Sequence, residues 1–175
     1  MKQKNVLLLA CAMLAVVAFS ACPSPGAGNG GGTDTTHVDT VPPAPVHDYG
    51  AAVITLERSS CFGRCPSYTL RIEGNGNVNY EGRDFVAVQG AQTAQITPDA
   101  VKALADAFFK IDYFALQDSF DGDITDIPHT ISSISIDGKT KRIFDRVGGP
   151  DGLKALEAKI DSVAGSSRWV TAPEQ

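Results

Sequence analysis

The sequence predicts an α+β fold in which an antiparallel sheet of about five to six strands packs two helices on one face. Two observations lead to this prediction. Short segments alternate apolar and polar residues, as half-buried strands do, and glycine-rich or asparagine-rich turns separate them. Two longer segments place apolar residues at helical spacing and begin with residues that start helices.

The first strands form a hairpin at the start of the domain. Residues 53–58 are rich in β-forming side chains, and residues 68–73 alternate apolar with polar side chains. Gly74-Asn75-Gly76 is a turn signal, and residues 77–81 alternate again after it. This arrangement predicts two antiparallel strands joined by a tight turn.

The first helix is predicted to begin at Thr97, after further strands at residues 85–88 and 93–96. Thr97 can accept a hydrogen bond from a free amide, and Pro98 suits the first helical position because it lacks a donor. Asp99 favours the positive end of the helix dipole. One face of this helix is apolar and should cover the sheet; it contains Val101, Leu104, Phe108 and Ile111.

The same pattern returns after an acidic loop. Residues 131–136 and 141–144 are predicted strands joined by Asp137-Gly138, and a second helix begins at Pro150. The two helices also resemble each other, since PDAVKAL opens one and PDGLKAL opens the other. We therefore predict two strand-strand-helix units with both helices on one face. The alternative is that good helix starts simply resemble one another.

The N-terminal segment predicts export. Lys2 and Lys4 precede an apolar stretch at residues 6–19, which is shorter than the ~20 residues that a membrane-spanning helix needs. Small residues then lead into Cys22 in a pattern that resembles the lipobox of bacterial lipoproteins. The resemblance implies a signal peptide at residues 1–21 and acylation of Cys22 by chains such as palmitate, which gives membrane attachment. The alternative is an ordinary signal peptide whose cleavage site lies near Cys22.

Residues 22–50 are predicted to be a disordered tether. This stretch is rich in glycine and proline and has few large apolar side chains, so burial cannot offset the entropy of folding. A single domain follows at residues 51–171, and residues 172–175 form a tail. A lipid on Cys22 predicts a location in the bacterial cell envelope. An aspartate directly after the lipidated cysteine would suggest retention in the inner membrane of a Gram-negative cell. This position is Pro23, which favours the outer membrane.

Composition argues against several functions. The chain has 20 Asp and Glu against 15 Lys and Arg, and no segment concentrates basic and aromatic residues, so nucleic-acid binding is not expected. It contains no nucleophile elbow and no glycine-rich phosphate loop, so we assign no catalytic residue and expect no cofactor. We expect a non-enzymatic binding or structural module whose partner is an envelope protein or a small ligand. An unrecognised enzyme is an alternative.

Cys61 and Cys65 are separated by Phe-Gly-Arg. In an oxidising compartment their α-carbons can approach to the ~5.5 Å of a disulfide, with Gly63 permitting the turn. We predict a disulfide that fixes a connection between strands. An alternative is a copper site, because Cys-x-x-x-Cys-Pro with the distant His129 is similar to the motif of exported copper chaperones. A thiol-disulfide catalyst is a third possibility, although a strand rather than a helix follows the pair.

An acidic loop supplies the other candidate site. Its carboxylates lie at close spacing beside a glycine, and such hard oxygen ligands are typical of Ca²⁺ sites. The spacing is not that of the helix-loop-helix calcium loop. We therefore interpret these residues as turn formers on a solvated surface, with calcium binding as the alternative: Asp118, Asp121, Asp123 and Asp126.

The cysteine segment also carries a family resemblance. Residues 61–68, read CFGRCPSY, precede a hairpin with the pattern Gly76-x-Val78-x-Tyr80-x-Gly82. Together they resemble a bacterial exported family known as domain of unknown function 6438. The resemblance spans nearly the whole domain and implies an exported α+β fold. It brings no catalytic or binding residues with it.

Overall fold

A computed structural model of the protein describes residues 46–171. Seven strands form one sheet: β1 (Val53–Arg58), β2 (Tyr68–Glu73), β3 (Asn77–Gly82), β4 (Gly90–Gln95), β5 (Ser119–Phe120), β6 (Thr130–Ile136) and β7 (Lys139–Asp145). Their order across the sheet is β4-β3-β2-β1-β6-β7-β5. Neighbouring strands are antiparallel except β5, which runs parallel to β7.

Two helices, α1 (Pro98–Lys110) and α2 (Asp151–Ala164), pack on the sheet, and a short helix α3 (Ser167–Val170) follows. Single turns of 3₁₀ helix lie at Tyr49–Ala51 and Tyr113–Ala115. The apolar faces of α1 and α2 share one core with the buried side chains of β1, β2, β3, β6 and β7. Among residues 46–171, no helix has both the length and the apolar character needed to span a membrane.

The α+β class is confirmed, but the strand count of five to six is wrong. The sheet has seven strands and is mixed, because β5 pairs in parallel with β7. This strand is two residues long and lies in the acidic loop, so no alternation marks it in the sequence. A third helix, α3, was also not expected.

The strand predicted at residues 85–88 is also wrong. Phe85 has a φ of 54°, a left-handed conformation that interrupts extended backbone. The amides of Ala87 and Val88 donate instead to the carbonyl oxygens of Val170 and Trp169, at 3.3 and 2.9 Å. This loop therefore holds the C-terminal segment, and the sheet resumes at Gly90, earlier than the predicted residue 93.

The start of α1 agrees with the sequence prediction, whereas the start of α2 lies one residue later than predicted. Thr97 caps α1, and its hydroxyl accepts a hydrogen bond from the amide of Ala100 at 3.2 Å. In α2, Pro150 is the cap residue itself, and the helix begins at Asp151. Each of these helices follows an antiparallel strand pair, β3–β4 for α1 and β6–β7 for α2.

The predicted signal peptide, the predicted lipidation site at Cys22 and the predicted tail at residues 172–175 lie outside the described residues. The end of the predicted tether, by contrast, contacts the domain. The ring of His47 stacks on Phe109 with 4.0 Å between centroids, and its Nδ1 lies 2.6 Å from a carboxylate oxygen of Asp137. Tyr49 donates its hydroxyl to Asp106 at 2.6 Å. Residues that precede the predicted domain start at residue 51 are thus packed on the domain.

Candidate functional site

The disulfide segment lies at the C-terminal end of β1. Cys61 and Cys65 are joined, with 5.6 Å between their α-carbons, which confirms the predicted disulfide. Backbone bonds anchor the segment on both sides: Ser59 donates its amide to the carbonyl of His129 at 3.0 Å, and Ser67 donates to the carbonyl of Asp84 at 2.8 Å. The segment is therefore fixed to the start of β6 on one side and to the end of β3 on the other.

Replacing Cys61 and Cys65 with serine should lower the free energy of unfolding by about 2 kcal/mol or less, because the closed loop is short and constrains the unfolded chain little. Urea unfolding measures the change. Reducing agent added to the wild-type protein is the matched control and should reproduce the loss, while leaving the serine variant unchanged. Complete loss of the fold on substitution would contradict a local role.

A cavity of about 260 Å³ lies beside the disulfide, and we call it the disulfide pocket. Four residues form the apolar part of its lining: Cys65, Pro66, Pro128 and Val170. Polar groups complete the lining and come from the ends of three strands and the loops beside them: Arg58, Ser59, Tyr68, His129 and Thr130. Apolar walls with a few fixed polar groups are typical of small-ligand sites.

Arg58 is the charged centre of this region. Its guanidinium donates to Asp161 of α2 through Nη2 at 2.8 Å and Nε at 3.2 Å, and to the hydroxyl of Thr130 through Nη1 at 2.7 Å. Asp161 also accepts hydrogen bonds from the hydroxyls of Tyr68 at 2.7 Å and Ser166 at 2.8 Å. Burial acts to lower the pKa of Arg58, but the ion pair with Asp161 outweighs it and raises that pKa. The guanidinium is thus held in one orientation next to the pocket.

Glu157 lies behind Arg58 and is almost fully buried, with 3% of its surface exposed. Its Oε2 is 3.9 Å from Nη1 of Arg58, and its Oε1 has no hydrogen-bond partner among the described residues. Burial raises the pKa of Glu157 to about 7, although the positive charge of Arg58 acts in the opposite direction. Burial therefore favours the neutral form of this carboxyl.

A second buried carboxylate, Asp145, is close enough to Glu157 to contribute to this raised pKa. Asp145 is 4% exposed and accepts a hydrogen bond from Lys154 at 3.0 Å, while its other oxygen has no partner among the described residues. Neither carboxylate lines the disulfide pocket. Glu157 acts on the pocket residue Arg58, and Asp145 lies farther away and acts on Glu157, so we assign neither a catalytic role.

The structure brings His129 and Cys65 to the same pocket but does not place free thiolates there. Both sulfurs are bonded to each other, and the ring of His129 packs on Phe144 with 4.6 Å between centroids. Within residues 46–171, no group of three or more His, Cys, Asp and Glu side chains is arranged to hold a metal ion.

The acidic loop does not converge on a single point. Asp118 forms an ion pair with Lys141, and Asp121 accepts hydrogen bonds from Arg146 at 2.6 and 2.9 Å. Asp123 and Asp126 are exposed. The loop is therefore tied to β7 and the residue after it through two ion pairs.

The buried polar network around Arg58, Asp161 and Glu157 was not predicted from the sequence. The sequence predicted a second helix beginning at Pro150, but no role was given to the acidic residues within it. Glu157 follows Leu153 by four positions and precedes Ile160 by three, and this spacing places its side chain on the buried face. An acidic residue at a core-facing position was the signal available in the sequence.

The region just described falls within a family match. The family, described as Domain of unknown function (DUF6438), matches residues 52–164. The chain belongs to this family. The DUF6438 range contains all seven strands and both long helices, and with them the disulfide, Arg58, Glu157 and Asp161. A comparison of this DUF6438 protein with curated proteins finds no match.

Proposed function

We propose that this DUF6438 protein is a non-enzymatic binding module, and that the disulfide pocket receives a small ligand. The observation that carries the proposal is the position of Arg58, whose oriented guanidinium lines a pocket that otherwise has largely apolar walls. The N-terminal sequence supports attachment of the module to the cell envelope through a lipid on Cys22.

The polar groups of the pocket favour a ligand that carries an acceptor. A guanidinium has five N–H donors. Three of these donors have acceptors: Nε and one N–H of Nη2 bond Asp161, and one N–H of Nη1 bonds Thr130. One N–H therefore remains on Nη1 and one on Nη2. The ring of His129 likewise has no hydrogen-bond partner among the described residues. A carbonyl or carboxylate oxygen would satisfy these donors.

The size of the pocket limits the rest of the ligand. A volume of about 260 Å³ lies below the ~300–1,000 Å³ of pockets that hold drug-sized molecules. The apolar surfaces of Pro66, Pro128 and Val170 suit a single ring or a short aliphatic chain. The predicted ligand class is therefore a small apolar group with one carbonyl or carboxylate end.

A larger concavity, of about 390 Å³, lies on the sheet face opposite the helices, and three of its polar side chains are already paired with residues outside its lining. Glu57 pairs with Arg83 at 3.1 Å, Arg71 pairs with Glu73 at 3.3 Å, and Thr55 bonds Ser133 at 2.6 Å. These contacts make that face the weaker candidate. The copper alternative, with Cys61, Cys65 and His129 as ligands, requires reduction of the disulfide, because thiolates are the species that bind Cu(I).

We expect phenylacetamide and phenylacetate to shift the backbone amide signals of Ser59, Cys65, His129 and Thr130 in ¹H–¹⁵N spectra of the folded protein. Both probes carry one ring and one acceptor, whereas phenethylamine carries a cation and should cause no shift, since Arg58 would repel it. The titration gives the affinity, expected to be weak for probes of this size.

Val170→Trp should fill the pocket and abolish these shifts, while Val46→Trp is the matched control. Val46 is 96% exposed and does not line the pocket, so the same substitution there should leave probe binding unchanged. Dispersed amide signals in both variants establish that they are folded. Shifts that persist in folded Val170→Trp, or that are absent from the wild-type protein, would rule out this site.

A further inference from the structure

The two edges of the sheet are not protected equally. At one edge, β5 has only two residues, and ion-paired aspartates flank it, Asp118 on one side and Asp121 on the other. Very short, charged edges are a common defence against pairing with another chain. At the other edge, β4 has six residues, GAQTAQ, with no charged side chain and no proline. The β4 edge thus lacks the usual defences.

The hydrogen-bond pattern shows which backbone groups of β4 face outward. Ile96 donates its amide to the carbonyl of Gly76 at 2.9 Å, in line with the β3–β4 register. Hydrogen-bonded pairs alternate along an antiparallel ladder, so Ala94 and Gln92 also direct their backbone groups to β3. The backbone groups of Ala91, Thr93 and Gln95 then point away from the sheet. Among the described residues, no other segment bonds them.

The sequence of this edge is compatible with itself in one antiparallel register. If two copies align about Thr93, each Thr93 lies opposite the other, and Ala91 of each copy lies opposite Gln95 of its neighbour. This register places the outward backbone groups of both strands face to face, which allows about six backbone hydrogen bonds. It also places no like charges together and sets a small side chain opposite each glutamine.

We propose that β4 is a self-association edge, through which a second copy of this chain extends the sheet by antiparallel pairing centred on Thr93. We infer that the partner is a second copy of this chain because β4 can pair with itself about a two-fold axis at Thr93. An isologous interface requires such a self-complementary segment. Gly90, with a φ of 80°, begins the strand, and Thr97, the cap of α1, follows its end closely, so the paired segment is limited to these six residues.

The first test is the sedimentation velocity of the full-length protein in detergent at increasing concentration. The wild-type protein should change from monomer to dimer. Thr93→Lys should remain monomeric, since it brings two like charges together at the centre of the interface. Thr140→Lys is the matched control, because Thr140 is exposed on β7, away from this edge, and it should dimerise as the wild type does.

A cysteine at the two-fold position tests the register. Hydrogen-bonded antiparallel pairs have α-carbons ~5.5 Å apart, which suits a disulfide. Thr93→Cys should therefore form a disulfide-linked dimer on mild oxidation, and Glu81→Cys, on the neighbouring strand β3, should not. A wild-type protein that stays monomeric, a Thr93→Lys variant that still dimerises, or equal cross-linking of both cysteine variants would overturn the proposal.

Discussion

Replacing Arg58 with methionine should lower the free energy of unfolding by about 3 kcal/mol near neutral pH. Methionine preserves much of the side-chain volume but leaves Asp161 and Glu157 without their positive partner. Breaking a buried pair by removing one partner typically costs about 3–5 kcal/mol, and the lower value applies because Arg58 is 28% exposed. Urea unfolding measures the loss.

Arg71→Met is the control for this substitution. Arg71 is 51% exposed and pairs with Glu73 on the open sheet face, so its removal should change stability by less than about 1 kcal/mol. Adding Glu157→Gln to Arg58→Met should restore part of the lost stability, because it removes one of the two carboxylates left unpaired. An Arg58→Met variant no less stable than Arg71→Met would show that the network contributes little.

Glu157→Gln should stabilise the protein at alkaline pH. Burial raises the pKa of Glu157 from an ordinary 4.5 to about 7, so the native state favours the neutral carboxyl. Between these two pH values the unfolded chain releases a proton that the native state retains. The stability contributed by this carboxyl is fully present below about pH 4.5 and is lost as the pH rises through about 7. Burial is the largest influence on this pKa; the neighbouring charges also act on it, with Arg58 and Lys154 lowering it and Asp145 and Asp161 raising it.

The expected gain of Glu157→Gln is about 3 kcal/mol at about pH 8 and close to zero at about pH 4, because each unit of pKa shift corresponds to about 1.4 kcal/mol. Urea unfolding of the wild type and the variant across this range measures it. Glu81→Gln makes the same chemical change at an exposed position on β3 and should leave the pH dependence of the wild type intact. If Glu157→Gln also leaves it intact, Glu157 does not hold its proton in the native state.

The alternation of apolar and polar residues predicted the central strands well, because one face of the sheet is buried in the core and the other face is more exposed. The bounds of β1 and β2 agree with the sequence analysis, since alternation marks each strand and turn residues end it. The strand predicted at residues 85–88 was wrong because the apolar composition of this segment does not reveal the left-handed backbone conformation of Phe85. The two residues of β5 were missed because so short a strand has no measurable period.

The sequence predicted only those contacts of the candidate site that join residues close together along the chain. The disulfide follows from the spacing of Cys61 and Cys65, which lie four positions apart. Arg58 and Asp161, by contrast, are 103 positions apart. Alternation along β1 places Arg58 on the same face as the buried Ile54 and Leu56, but it does not show which carboxylate Arg58 meets there. Only the packing of α2 on the sheet brings Asp161 to it. Long-range polar contacts of this kind leave no periodic trace in a sequence.

The entry of the chain into β1 has a mechanical consequence. The chain leaves the contacts of His47 with Phe109 and Asp137 and continues after a few residues into β1, which is bonded to β2 on one side and β6 on the other. The disulfide pocket lies at the opposite end of this strand. A force applied between the N-terminal segment and a ligand in the pocket would act along β1 and load both ladders in shear. Rupture would then require many hydrogen bonds to break together, so the fold resists tension along the line that joins its proposed point of attachment to its proposed ligand.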